Sequence, residues 1–321
     1  MTLVVALASS SVAVLVADRR LSRRSEVLSD EYNKVTVLFC DDARLAVAFT
    51  GLATQSAFDT STWIAETLFA IGETKRLVHE VLEEFRHRLG KAFANLTGDD
   101  RRLSVVFCGF VYWTTEPESR VFVLSNYEHS SYEPSTFTMR TRGGDGCNIV
   151  ELAGNTSPVG VKTVERLNAL LQTEVSASSL VRFAVTHLQN AASHSRSSGN
   201  IGEQCNAVVV YATPDTAVVN TYHTAKNVNC AYGANVVILG NQVSLGTEVM
   251  GPGILAGTEI RKKDPCWCGS SRTFGYCHLK KYGAVYVRHP AWARPLFAVT
   301  RVVRDDQVPS GRIFCVQSGY A

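Results

Sequence analysis

Thr2, Asp18, Arg20 and Lys34 are residue types that can run a reaction together, and they fall within the first thirty-four positions of the chain. Threonine follows Met1 directly, so trimming the methionine leaves one residue that carries both a hydroxyl and a free α-amine. The hydroxyl is a weak nucleophile at its own pKa, whereas an α-amine titrates near ~8 and can accept the hydroxyl proton. One residue then supplies nucleophile and base. A lysine beside a carboxylate adds positive potential that favours the neutral, basic form of the amine. Thr2 alone is an ordinary small second residue. The placement of Asp18 and Arg20 at a strand end and of Lys34 at the start of the next strand gives it weight. Arg20 is expected to brace Asp18 and the loop after it, not to react.

A second cluster lies near the other end. Cys266, Cys268, Cys277 and His278 bring three thiols and an imidazole into thirteen residues. This is a complete tetrahedral donor set for zinc, with Gly269 allowing a tight turn, and four protein ligands leave no position for a reactive water, so the expected metal is structural. Lys262, Lys263, Arg272, Lys280 and Lys281, with Phe274 and Tyr276, give this stretch a basic, aromatic surface suited to an acidic protein or ribosomal partner.

The elements that must position these residues follow from periodicity. Residues 4–16 read as two short apolar strands around a turn at Ser9 to Ser11, with Asp18 and Arg20 on one face at the end of the second. A polar loop over 21–33 leads to Lys34, which opens a strand over 35–39. A strand ending at Gly51 precedes a helix expected over 54–71, capped by Thr54 and stopped by Gly72, and the 3.6-residue pattern predicts a second helix over 75–96. Strands follow over 103–113 and 120–125. A hairpin is expected from 136–142 and 147–153 around Gly143-Gly144-Asp145-Gly146. Helices over 161–172 and 178–193, the polar run 194–200 and strands over 205–211 and 216–222 complete the series. Strands, two helices, strands, two helices, strands is the order of an α+β, four-layer αββα sandwich.

The first part of the chain resembles the proteasome β-subunits. The spacing of Thr2, Asp18, Arg20 and Lys34 matches that of the family's catalytic residues, the run VLVADRR is similar to the family's strand ending in Ala-Asp-x-Arg, and AVAFTGLATQ is similar to its strand, glycine and helix start. The resemblance extends from Thr2 to about Tyr222. It implies an N-terminal-nucleophile (Ntn) hydrolase acting on peptide or protein substrates, with the Gly51 amide in the oxyanion hole and the chain assembled as a homo-oligomer. Two places depart from the family. Asn155 stands where the family has a serine near the nucleophile. The run HSRSSGNIG has no aspartate where the family has one, and offers Ser195, Ser197 and Ser198 instead, with the register allowing either Ser195 or Ser198 to take its place. The spacing Cys-x-Cys, eight residues, Cys-His resembles the SEC-C motif, which implies bound zinc, with Trp267 in place of the more usual proline. The expected organisation is an Ntn-hydrolase domain over 1–222, further strands or linker over 223–260, the zinc motif over 261–283 and C-terminal strands over 284–321.

Bulk properties bound the rest. In 321 residues, 45% apolar content and 19% charge fit a soluble globular protein with a substantial core. A net charge of +3 argues against specific nucleic-acid binding or attachment to an anionic membrane, and Arg19, Arg20, Arg23 and Arg24 read as a solvated basic loop. The apolar start lacks a basic leading region and is interrupted by Ser9 to Ser11, so it reads as core strands instead of a secretory signal. No apolar run approaches the ~20 residues of a membrane span. Nine cysteines, scattered apart from the three near residue 270, fit a reducing cytoplasm, bacterial by the resemblance. Two further functions stay open: a non-catalytic protein of this fold that recruits a partner through its zinc motif, which the missing acid favours, and an amidase acting on a small molecule.

Overall fold

In the computed structural model the described residues are 2–212, apart from 24–25, 31, 99, 129–130, 145 and 174–175, together with 219–225, 235–238, 243–245, 258–259, 261–264, 272–276, 285–288, 299–305 and 312–319. The chain forms two units, Met1–Pro214 with Ala234–Gly246, and Asp215–Gly233 with Thr247–Ala321. The first is a mixed α/β structure.

Its first strands are β1 (Leu3–Ala8) and β2 (Val12–Asp18), both buried along their whole length. Continuous apolar runs of this kind belong to strands covered on both faces. The expected turn joins them: Ser9 N–H donates to the Val12 carbonyl at 2.9 Å, and Val12 N–H donates to Ser9 Oγ at 3.3 Å. A short hairpin of Leu21–Arg23 and Glu26–Ser29 occupies the polar stretch that follows. Next come β3 (Val35–Phe39), β4 (Ala43–Gly51), α1 (Thr60–Gly72) and α2 (Val78–Asn95). The order continues with β5 (Leu103–Val111), β6 (Glu118–Ser125), β7 (Thr138–Gly144), β8 (Ile149–Gly154), α3 (Val161–Leu171), α4 (Ala177–Ser193) and β9 (Cys205–Tyr211).

Two sheets organise this unit. One runs β8-β1-β2-β9, antiparallel throughout, with Leu3 opposite Gly154, Val4 opposite Ala17 and Asp18 opposite Cys205. The other runs β7-β6-β5-β4-β3 and continues through Asn235–Ile238, which lies parallel to β3, to Val243–Leu245. The sheets face each other, and Cys108 Sγ of β5 reaches across to the Leu7 carbonyl of β1 at 3.6 Å. Helices α1 and α2 close the other side of the second sheet. Leu68, Ile71, Phe85 and Phe93 are sealed against Leu45, Phe49 and Phe107, with Phe85 edge-on to Phe107 at 5.7 Å. Helices α3 and α4 pack on β1, β2, β8 and β9.

Three local expectations are corrected. The strand over 136–142 and that over 147–153 do not form a hairpin: β7 pairs with β6, whereas β8 pairs with β1, so the glycine-rich connection carries the chain from one sheet to the other. The α1 helix starts at Thr60, not Thr54. Thr54–Gln55 and Phe58–Asp59 form a small hairpin first, and Asp59, whose side chain accepts from Thr62 N–H, caps the helix. Strand β2 ends at Asp18, so Arg20 lies beyond the strand and not along its face. The second unit holds antiparallel strands in the order Val219–Ala225, Arg312–Gly319, Val299–Asp305, Val285–Arg288 and Thr258–Glu259.

The α2 helix lacks a capping side chain of its own at Leu77, and Asp42, from the turn before β4, supplies one by accepting from Val78 N–H at 2.7 Å. The other oxygen of Asp42 accepts from Trp113 Nε1 at 3.0 Å. Replacement Asp42→Ala is expected to lower the unfolding free energy by about 1–2 kcal/mol in urea denaturation, with Asp42→Asn losing less, because a cap donor left unsatisfied costs that much. Equal stability of Asp42→Ala and the unaltered protein would contradict this capping role.

Candidate active site

Strand register brings one end of each sheet together. Leu3, Asp18, Gly154 and Cys205 are paired neighbours at one end of the first sheet, while Gly51 stands opposite Leu103 at the end of the second. Thr2, Asp18 and Lys34 meet there, and all three are buried, Asp18 at 0% and Lys34 at 2% exposure.

Lys34 Nζ donates to Thr2 Oγ1 in a short hydrogen bond, to Asp18 Oδ1 at 3.2 Å and to the Arg20 carbonyl at 2.5 Å. Burial pushes the Lys34 ammonium below its ordinary value of 10.5, against a smaller pull upward from the Asp18 carboxylate. The lysine is therefore held by three oxygens in a place where its charge is disfavoured. Contact with the hydroxyl is direct, so Lys34 Nζ lies within proton-transfer distance of Thr2 Oγ1.

Asp18 is the hub of the backbone around it. Its carboxylate accepts from Leu3 N–H at 2.9 Å, Arg20 N–H at 2.9 Å and Gly202 N–H at 3.3 Å, besides Lys34. These bonds fix the main chain immediately after Thr2, immediately after β2 and just before β9. Thr2 is anchored from the other side as well: its carbonyl accepts from Thr50 Oγ1 at 2.8 Å and from Asn155 N–H at 3.0 Å. Gly154, at φ +89°, lies so close that a Cβ there would collide with the Thr2 carbonyl oxygen and Thr50 Oγ1. Gly51, at φ +108°, ends β4 next to Thr50, and a Cβ there would strike the Arg102 carbonyl.

The Arg20 side chain turns away from Asp18, which only its backbone N–H meets. Its guanidinium pairs with Asp30 at 2.7 Å and donates to the carbonyls of Gly199 at 2.9 Å and Ile201 at 3.3 Å, tying the loop before Lys34 to the polar run after α4. The bond to Asp30 raises the Arg20 pKa further. In that run Ser195–Ser197 form a single 3-10 turn, and His194 Nδ1 accepts from Arg196 N–H at 3.0 Å. Asn155 Nδ2 reaches the Ser197 carbonyl at 3.5 Å, and Asn155 Oδ1 accepts from Ser157 Oγ at 2.8 Å. Ser197 is buried, whereas Ser198 is exposed in a left-handed conformation at φ 50°, with its N–H bonded to the Ser195 carbonyl. Main-chain and side-chain contacts thus bring Asn155 to the site, and Ser198 forms no hydrogen bond to Thr2 or Asn155 among the described residues. Sequence reasoning missed Thr50, Asp30, Gly154 and Gly202. Only the glycines left a trace in the sequence, as small residues beside Asn155 and in the run after α4.

Cys266, Cys268, Cys277 and His278 lie outside the described residues, and among the described residues no group of three His, Cys, Asp or Glu side chains forms a metal site. The flanks of that stretch are bonded to each other, Phe274 N–H to the Asp264 carbonyl at 2.8 Å and Gly275 N–H to the Lys262 carbonyl at 2.9 Å, with Phe274 buried. Residues 263–280 match the SEC-C motif. No curated protein matches the chain. Among solved structures the chain is similar to Anbu (ancestral beta-subunit) from Yersinia bercovieri, at 14% identity and a TM-score of 0.42 over 66% of this chain and 82% of that one. It is also similar to an Anbu (Gly-1) mutant from Hyphomicrobium sp. strain MC1, at 12% identity and a TM-score of 0.44 over 65% and 81% of the respective chains. No helix among the described residues is long and apolar enough to cross a membrane.

Removing the carboxylate from the Lys34–Asp18 pair leaves a buried cation without its counter-charge and three N–H groups without their acceptor. Asp18→Ala is expected to cost about 3–5 kcal/mol of stability, read as a fall in the urea midpoint. A loss under about 1 kcal/mol, the value typical of an exposed pair, would contradict this burial.

Proposed function

We propose that this chain is an N-terminal threonine hydrolase of peptide bonds, built on a four-layer αββα sandwich of the proteasome-like Ntn type. The observation that carries the reading is the direct contact of Lys34 Nζ with Thr2 Oγ1, with Asp18 holding the lysine. The pairing of α1 and α2 with one sheet and α3 and α4 with the other supports the architecture.

In the proposed reaction, loss of Met1 frees the Thr2 amine and opens the hydroxyl to substrate. Lys34, whose burial favours the neutral amine, accepts the Oγ proton as Thr2 attacks the carbonyl carbon, and the α-amine is a second acceptor close by. The new C–O bond puts negative charge on the carbonyl oxygen, for which the Gly51 N–H is the candidate donor. Collapse expels the amine of the leaving fragment, which takes the proton, and water then hydrolyses the ester on Thr2 and restores the hydroxyl. Asp18 keeps Lys34 in place, and Arg20 keeps the surrounding loops in place.

Cys266, Cys268, Cys277 and His278 form a donor set that fits zinc, which would crosslink the motif structurally and supply no step of the reaction. Arg261, Lys262, Lys263 and Arg272 are exposed, as is Tyr276 at 79%, and this basic surface suits an acidic protein partner. A homo-oligomer in the bacterial cytoplasm completes the reading. A second reading, a scaffold without turnover that recruits a partner through the motif, is favoured by one observation: the run 194–200 carries no acid beside Thr2.

Mass spectrometry and covalent labelling separate the two. The mature protein is expected to lack Met1 and to be labelled on Thr2 by an electrophilic peptide, with labelling abolished in Thr2→Ala and in Lys34→Ala while zinc content is unchanged. A retained Met1, or an intact Thr2 that resists labelling, favours the scaffold.

A further inference from the structure

Glu128 lies three residues beyond β6 in the second sheet, yet its Oε1 accepts a hydrogen bond from Gly154 N–H at the end of β8 in the first, at 2.7 Å. Among the described residues strand β8 pairs with β1 alone, so the outward-facing groups at its end take a partner from elsewhere. Glu128 is itself fixed. Its N–H donates to Ser125 Oγ at 2.8 Å, and Ser125 Oγ accepts from Ser104 Oγ at 2.7 Å in the buried interior. The backbone it grips is the seat of the nucleophile. Gly154 has no side chain to hold its left-handed conformation, and the next N–H, that of Asn155, donates to the Thr2 carbonyl.

We infer that Glu128 is a positioning residue for Thr2: its carboxylate holds the Ala153–Gly154 peptide and so the backbone at Gly154, from which the next N–H, that of Asn155, together with Thr50 fixes the Thr2 carbonyl and aims Oγ1 at Lys34. This rests on the reading of Thr2 as nucleophile. The acid absent from the 194–200 run then has a functional counterpart on a different element, acting on the main chain beside Thr2. Glu128 touches neither substrate nor Oγ1. Its effect therefore falls on the rate of the bond-forming step and leaves binding of the reagent unchanged, since small misplacements of reacting atoms cost rate steeply.

The test is the kinetics of Thr2 labelling by an electrophilic peptide in the full-length mature protein, separating the maximal labelling rate from the half-saturating concentration. Glu128→Ala is expected to lower the maximal rate about tenfold, with the half-saturating concentration within about twofold of the unaltered protein, and Glu128→Gln, which keeps an acceptor oxygen, is expected to restore most of it. Glu128→Asp, one methylene too short to reach Gly154, is expected to be as slow as alanine and decides the matter if the alanine variant does not fold. Thermal midpoints of the folded variants report any general loss of stability. Unchanged labelling in Glu128→Ala or Glu128→Asp overturns the inference, as does a glutamine variant as slow as alanine or a slowing that only follows the thermal midpoint. An unaltered protein that is not labelled removes the parent reading and this one together, whereas an active protein indifferent to Glu128 removes this one alone.

Discussion

A lysine amine sealed in the interior governs the rest of this structure. Lys34 has almost no water around it, and a buried cation is tolerated only when oxygens replace its hydration. Asp18 and the Arg20 carbonyl provide two of them, and the Thr2 hydroxyl is the third. Asp18, also buried, needs donors in turn and takes them from the backbone at Leu3, Arg20 and Gly202. Electrostatic necessity thus ties three separate chain segments to one carboxylate. The same arrangement that solves a solvation problem sets a hydroxyl against an amine of lowered proton affinity.

The sheets supply the rigidity this arrangement requires. Because β1, β2, β8 and β9 are antiparallel and in fixed register, the positions of Leu3, Asp18, Gly154 and Cys205 relative to one another follow from strand pairing alone. The second sheet enters through Thr50, whose hydroxyl bonds the Thr2 carbonyl, and through Glu128, which bonds Gly154. The end of β8 is consequently gripped from both sheets. Around this core, Arg20 closes the base of the Leu21–Arg23 and Glu26–Ser29 hairpin through Asp30 and ties it to the run after α4 through the Gly199 and Ile201 carbonyls.

Local signals in the sequence explain how much was legible. Two apolar runs around three serines gave β1 and β2, and the next apolar run gave β3, which Lys34 opens, whereas the grouping of Thr2, Asp18 and Lys34 was expected from residue type and the family resemblance, and the three side chains do meet. The strong helical periodicity of α2 gave that helix to within a few residues, but its cap was hidden, since Asp42 is 36 positions away. Thr54 looked like a helix cap because it precedes an apolar run; tertiary pairing of Thr54–Gln55 with Phe58–Asp59 moved the start to Thr60. The run Gly143-Gly144-Asp145-Gly146 reads as a hairpin turn, and nothing local tells that the chain leaves one sheet there for another. That crossing is also why Glu128, 26 residues from Gly154, could not be recognised beforehand. The SEC-C motif over 263–280 was legible from its own spacing of cysteines and histidine, since such a motif is local in sequence.

The most direct measurement of the central claim is the titration of Lys34 in the folded protein, followed by NMR of a lysine labelled at Cε and assigned by comparison with Lys34→Arg. Burial should move its midpoint below the ordinary lysine value of 10.5, so that the amine turns neutral at a lower pH than the surface lysines do. A midpoint at or above 10.5 would contradict the account, because Asp18 would then outweigh desolvation and Lys34 would remain a cation unable to take the proton of Thr2.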